Sequence, residues 1–169
     1  RMKKILITGS LGQIGSELAV ELRRRYGADN VVISDIRPAA PDMAEAGPYE
    51  LVDCMAADEI AKVVKRYQID TIYHLAAILS ARAEAEPQLA WKINMQGLYN
   101  ALEVAREHDC ALFTPSSIGA FGPTTPLDNT PQDTVQRPTS IYGVTKVAGE
   151  LLCDYYWQRF GVDTRGVRY

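Results

Sequence analysis

Tyr142 and Lys146 stand four residues apart in a stretch with helical spacing, so their side chains share one face. A phenol ionises near ~10 and is a poor base while it keeps its proton. An ammonium group alongside favours the phenolate, which can then take the proton of an alcohol. The plain alternative is a half-buried tyrosine beside a surface lysine, and in a chain with nine tyrosines this spacing also arises by chance. Ser117 adds weight to the chemical reading. It follows a β-rich run, where open α/β sheets place their ligands, and its hydroxyl there can hold a substrate oxygen in line with Tyr142. An ordinary strand-end turn is the other reading of Ser116-Ser117.

A second constellation lies near the start of the chain. Thr8-Gly9-Ser10-Leu11-Gly12-Gln13-Ile14-Gly15 falls between a first strand and a first helix. Glycines three apart permit a tight turn, close approach of backbone to a pyrophosphate, and close packing of helix on strand. The helix N-terminus then offers free N–H groups and the positive end of its dipole. The spacing is GxxGxxG, one residue longer than the common GxGxxG. Asp35 ends the second strand twenty residues beyond Gly15, where an acid can accept hydrogen bonds from both ribose hydroxyls of adenosine. Loop, strand and acid in this order predict dinucleotide binding, and a carboxylate at that place repels a 2′-phosphate, favouring NAD over NADP. Arg37, two residues on, works against that preference. Asp53, after the third strand, either accepts from the adenine amino group or is a solvated turn acid.

These residues need a scaffold that brings distant segments together. Short β-rich runs occur at residues 4–8, 31–34, 50–52, 71–75, 111–114 and 164–169, and stretches with helical spacing at 14–26, 57–67, 87–108 and 141–160. Strands alternating with helices predict an α/β fold, a doubly wound parallel sheet of Rossmann type with helices on both faces. The continuous apolar character of Ile5–Ile7 and Val31–Ile33 fits strands covered on both faces. Residues 38–48 and 119–140, rich in proline and glycine, read as long non-helical loops of functional length. The final strand, 165–169, asks for more protein after it, so a C-terminal substrate-binding segment is expected to be missing.

Composition excludes several classes. The 169 residues allow one domain with a real core, and a net charge of −3 suits neither nucleic acid nor an anionic membrane surface. No apolar run approaches the ~20 residues of a membrane helix, and no signal peptide is visible. Arg1 ahead of Met2 reads as an addition to a native start. Cys54, Cys110 and Cys153 are far apart with no ligand-spaced histidines, which argues for free thiols in a cytoplasmic protein and no metal site. His74 reads as a buried, hydrogen-bonded histidine, and His108 as a helix C-terminal charge.

The set Thr8-Gly9, Gly12, Gly15, Asp35, Leu75-Ala76-Ala77, Asn94, Ser117 and Tyr142 with Lys146 resembles the extended short-chain dehydrogenase/reductase family over the whole chain. More narrowly, the stretches at 74–81, 115–129 and 137–152 resemble the epimerase-like L-threonine 3-dehydrogenases. Gly119 is a small departure from their pattern. The resemblance implies that Gly9, Gly12, Gln13, Ile14 and Gly15 hold the pyrophosphate and that Asp35, Ile36 and Arg37 surround the adenosine ribose. It places Asp53 at adenine and Leu75, Ala76, Ala77 and Asn94 along the cofactor. Lys146 would hold the nicotinamide ribose, and Ser80, Ser117 and Tyr142 would touch the substrate. It also implies a homodimer through helices 87–108 and 141–160.

The activity so implied is NAD-dependent oxidation of the 3-hydroxyl of L-threonine to 2-amino-3-oxobutyrate. Nucleotide-sugar epimerisation or dehydration is the rival within enzymes, since it would use the same tyrosine. A non-catalytic NAD-binding module is the rival from another class, and an intact Ser117, Tyr142 and Lys146 set argues against it.

Overall fold

The computed structural model describes residues 2–169, and the reading of Arg1 lies outside them. Six parallel strands form one sheet: β1 (Ile5–Thr8), β2 (Val31–Asp35), β3 (Tyr49–Leu51), β4 (Thr71–His74), β5 (Ala111–Phe113) and β6 (Thr164–Arg165). Their order is β3-β2-β1-β4-β5-β6, the doubly wound arrangement expected. Registers such as Ile5 with Val31 and Ile5 with Thr71 align the strand ends of the central pairs.

Both faces of β1 and β2 are buried, and the period-two alternation of a strand divides its side chains between them. Leu6, Val32, Ile72 and Leu112 point into one layer, where they meet Ile60, Val63 and Val64 of α3 (Ala57–Tyr67). Leu98, Ala101 and Leu102 of α6 (Gly97–Glu107) fill the same layer. Ile5, Ile7, Val31 and Ile33 point the other way, onto Ala19 and Leu22 of α1 (Gln13–Tyr26). Each of these large side chains contributes about 1.5–3 kcal/mol by leaving water. The long helix α7 (Ile141–Phe160) packs on the first layer, starts at a Ser140 cap whose hydroxyl accepts from the Gly143 N–H at 3.0 Å, and ends at Gly161 with φ 71°.

Three expectations are corrected. The span 87–108 is not one uniform helix. It runs as α5 (Pro87–Trp91), a wider π-helical turn (Lys92–Gln96) and then α6. The π turn carries Asn94, whose side chain is drawn to partners outside the helix. The loop 38–48 contains a short helix α2 (Pro41–Glu45), begun by Pro41 at a position that suits proline, and α4 (Ser80–Ala85) precedes α5. The last strand is shorter than 164–169 and ends at Arg165; Gly166 beside it lies so close to the segment after β5 that a Cβ there would sit 2.6 Å from the Thr114 carbonyl. Ladder bonds nevertheless continue past it, from the Ser116 N–H to the Val167 carbonyl (2.8 Å) and from the Ile118 N–H to the Tyr169 carbonyl (2.8 Å).

Candidate active site

The strand order reverses at β1 and β4, and the loops leaving their carboxyl ends frame a crevice. On one side is the glycine loop. Gly9 has φ 65°, and a Cβ on it would come within 2.6 Å of the Ala76 nitrogen, so only glycine lets the loop lie against Leu75-Ala76. Gly15 packs α1 on the loop, with a Cβ there falling 2.6 Å from the Gly9 carbonyl. Gly12 differs. The only neighbour a Cβ would meet is the Gly9 carbonyl of its own loop, at 3.3 Å, and the space above it is open. No side chain caps the start of α1, which leaves the first-turn N–H groups at Gln13, Ile14 and Gly15 for an anion.

Asp35 closes this end. It is 8% exposed, takes the Leu11 N–H on Oδ2 (3.1 Å) and both the Arg37 N–H (3.3 Å) and the Arg37 Nε–H (3.5 Å) on Oδ1, which leaves a lone pair on Oδ2 for a ribose hydroxyl. The Arg37 guanidinium lies 3.5 Å from the same carboxylate and is largely exposed. Ile36 is exposed at the rim. Asp53 is also exposed, and its Oδ1 accepts the Met55 N–H at 2.9 Å, so the structure gives it a turn to hold. The glycine loop, the bare helix start and the acid together fit a dinucleotide.

The other side of the crevice is built around α7. Lys146 Nζ lies 5.4 Å from the centre of the Tyr142 ring and donates to the Pro115 carbonyl at 2.8 Å. Burial pushes the lysine below its ordinary pKa, and Glu150, one helical turn on, acts the other way. Ser117 Oγ accepts the Gly119 N–H at 3.0 Å. A methyl group on Gly119 would touch both Ser117 Oγ (3.3 Å) and the Tyr142 ring (3.2 Å), which brings the serine and the tyrosine to one spot. A cavity of about 690 Å³ opens beside Lys146, lined among others by Ala76, Ala77, Asn94, Glu150 and Arg168. Ser80 is exposed at the first turn of α4, which is tied to α7 by the Ile141 N–H donating to Glu84 at 2.7 Å.

Several residues hold the frame. Asn94 accepts the Ile78 N–H (2.7 Å) and donates to the Ile78 carbonyl (3.1 Å) and to Thr145 Oγ1 (3.2 Å). With both amide hydrogens taken by protein, it clips the 75–79 segment to α7. His74 is buried against Thr8 Oγ1 at 2.9 Å; burial first, and Lys146 second, bring its pKa down to about 4. Gly119, Gly143, Thr8 and Thr145 were not singled out for roles from sequence. Gly143 gave no local signal of the need it meets here: a Cβ on it would fall 2.2 Å from the Gly119 carbonyl. Among the described residues no group of three or more His, Cys, Asp and Glu side chains could hold a metal ion.

A parallel sheet with a glycine loop and an acid at its switch point, and a serine, tyrosine and lysine gathered at the far end, is the arrangement of a short-chain dehydrogenase/reductase-type nucleotide-binding domain. Residues 5–169 match the NAD dependent epimerase/dehydratase family, and the chain belongs to it. It is 59% identical over 169 residues to an uncharacterized epimerase/dehydratase of Staphylococcus saprophyticus, covering 99% of this chain and 53% of that protein. Among solved structures it is similar to an L-threonine dehydrogenase from Clostridium difficile, with a TM-score of 0.97 and 57% identity over 100% of this chain and 53% of the other. The holo form of a GalE-like L-threonine dehydrogenase from Cupriavidus necator gives 0.94 and 50%, over 98% and 54%. The chain thus spans about half the length of the relatives it matches.

Proposed function

We propose that this chain is the nucleotide-binding and catalytic part of an NAD-dependent dehydrogenase that oxidises L-threonine at its 3-hydroxyl. The observation that carries the substrate is the likeness to the L-threonine dehydrogenase structure at 57% identity, together with the wording of residues 74–81 and 115–129 around the site. The Asp35 carboxylate, with a lone pair left on Oδ2, supports NAD over NADP, with Arg37 working against it.

The chemistry assigns each side chain a task. Ser117 holds the substrate oxygen beside Tyr142. Tyr142, as phenolate with Lys146 alongside, takes the proton of the 3-hydroxyl. Bound NAD would supply the acceptor for the hydride leaving C3. L-threonine and NAD then give 2-amino-3-oxobutyrate, NADH and one proton. Leu75, Ala76 and Ala77 line the path from adenosine to nicotinamide, and Ser80 meets the substrate. A cytoplasmic setting goes with this reading; no helix among the described residues is long and apolar enough to cross a membrane.

A homodimer is part of the proposal. Trp91 and Tyr99 near α5 and α6, and Leu151, Tyr155 and Trp157 on α7, leave large apolar side chains about half exposed on the two helices expected to pair. A monomeric mass by light scattering would remove this part.

The second reading, nucleotide-sugar epimerisation, is favoured by the family description and the naming of the curated relatives. The two part on whether NADH accumulates. This chain, and a chain of the relatives' full length, mixed with NAD and either L-threonine, L-serine or UDP-galactose, decides it. Steady NADH with threonine supports the dehydrogenase. Silence from the full-length chain with threonine, with epimer formed from the sugar nucleotide, moves the assignment. NAD binding without any turnover in the full-length chain leaves a binding module.

A further inference from the structure

We propose that Glu150 is a positioning residue for this site, locking the 115–119 segment to α7 one helical turn beyond Lys146. The inference rests on the reading of Tyr142 and Lys146 as the reacting pair. Tyr142, Lys146 and Glu150 are successive fourth residues of α7 and form one stripe. Each meets the same short segment after β5. The Tyr142 ring lies against Gly119, Lys146 Nζ donates to the Pro115 carbonyl, and Glu150 accepts from the Ser116 hydroxyl. Ser117, the residue expected to hold the substrate oxygen, lies in the middle of what this stripe grips.

Glu150 is filled by its partners. Oε1 takes Ser116 Oγ and Arg168 Nε (2.9 Å), and Oε2 takes Arg168 Nη2 (2.8 Å) and Gln136 Nε2 (2.9 Å). Arg168 binds in the two-pronged way and also donates to the Gln132 carbonyl at 2.9 Å, while its guanidinium lies 5.4 Å from the centre of the Phe121 ring. Four chain segments therefore meet on one carboxylate: the end of β5, the loop 119–140, the segment after β6, and α7. Both members of the pair are mostly buried, at 16% and 22% exposure, so this is not a surface ion pair that salt would screen away. Burial opposes the Glu150 charge, but hydrogen bonds from Arg168, Ser116 and Gln136 outweigh it and hold the pKa at about 2. The carboxylate is thus charged throughout the range in which Lys146 must keep its proton.

The charged and titratable groups facing Lys146 are Tyr142 and Glu150 on α7, His74 at the end of β4, and Arg168 behind Glu150 after β6. Among the described residues, Glu150 is the anion that supports the ammonium against burial. Making it neutral leaves Arg168 uncompensated nearby, which presses the lysine in the same direction.

The test reads Lys146 directly, without turnover. Trace acylation at a series of pH values, followed by mass spectrometry of the peptide, reports the pH at which this lysine becomes a free amine. In Glu150→Gln the midpoint of Lys146 falls by about one pH unit, while the other lysines stay where they are. In Glu150→Asp, which keeps the charge but shortens the reach, the shift is smaller. If Glu150→Gln does not fold, the Asp variant and Ser116→Ala carry the test. Ser116→Ala removes only the grip on the segment, so Lys146 titrates as in the parent while kcat falls several-fold at unchanged NAD affinity. A Lys146 midpoint unmoved in every folded Glu150 variant overturns the proposal. If the parent turns over no threonine, the proposed substrate is wrong, yet the Lys146 titration still decides the part played by Glu150.

Discussion

The adenosine end of the crevice is made from seven contiguous residues, Gly9 to Gly15, plus one acid at the end of the neighbouring strand. The end proposed as catalytic is gathered from β4, the π turn, the segment after β5, and α7. The first works through backbone: a positive φ, close approach, and uncapped N–H groups. The second works through side chains whose positions depend on contacts dozens of residues away in sequence, such as Asn94 with Thr145 and Lys146 with Pro115. Damage to the first should fall on cofactor binding and local strain. Damage to the second should fall on turnover while the cradle survives.

The largest expected effect lies at the catalytic end. Tyr142→Phe keeps the ring that packs on Gly119 but has no proton to exchange, so turnover drops by about 10²–10⁴-fold. NAD affinity, measured by calorimetry, stays near the parent value. An equal loss of binding and turnover would erase the distinction between the two ends.

His74 tests the frame between them. Its pKa is about 4 in the folded chain against an ordinary 6.5, so the unfolded state binds more protons between those values. Stability is fully present above about pH 6.5 and is lost as the pH falls towards 4, by about 3 kcal/mol in all. Melting followed across that window should show the slope in the parent and a flatter course in His74→Gln.

Within the glycine loop the contrast can be sharpened further. Gly9→Ala meets both a positive φ and the Ala76 backbone, so it costs about 1–3 kcal/mol of stability as well as NAD binding. Gly12→Ala meets only its own loop and should melt close to the parent, while NAD binds about ten-fold more weakly because the methyl occupies the open space. A loss of similar size, without the strain, is expected at Asp35. Asp35→Asn weakens NAD by about ten-fold and narrows its advantage over NADP, read as the ratio of the two dissociation constants.

The same contrast explains what the sequence could disclose. Gly9, Gly12, Gly15 and Asp35 announce themselves because their spacing and their place between strand and helix carry the whole requirement. Tyr142 and Lys146 do so because helical spacing joins them. Alternation of strands and helices predicts the doubly wound parallel sheet, and the fold supplies its strand order. Asn94 was placed beside the cofactor, but its amide is spent on Ile78 and Thr145, and nothing local marks a π turn that exists to aim one side chain. For Asp53 the sequence leaves adenine and a turn both open, and its carboxylate holds a turn. Gly119 stood out as a departure without a consequence, which only the packing of Tyr142 and Ser117 around it supplies. The Glu150 and Arg168 pair was invisible because its members are joined by the fold rather than by spacing.

The central claim is that hydride leaves C3 of threonine and stays on the cofactor. L-threonine carrying deuterium at C3 tests it, with the reduced nicotinamide isolated from a full-length reaction and weighed by mass spectrometry. Reduced nicotinamide that carries the deuterium and accumulates with 2-amino-3-oxobutyrate is the expected result. Unlabelled reduced cofactor, or none while a sugar nucleotide is epimerised, would contradict it.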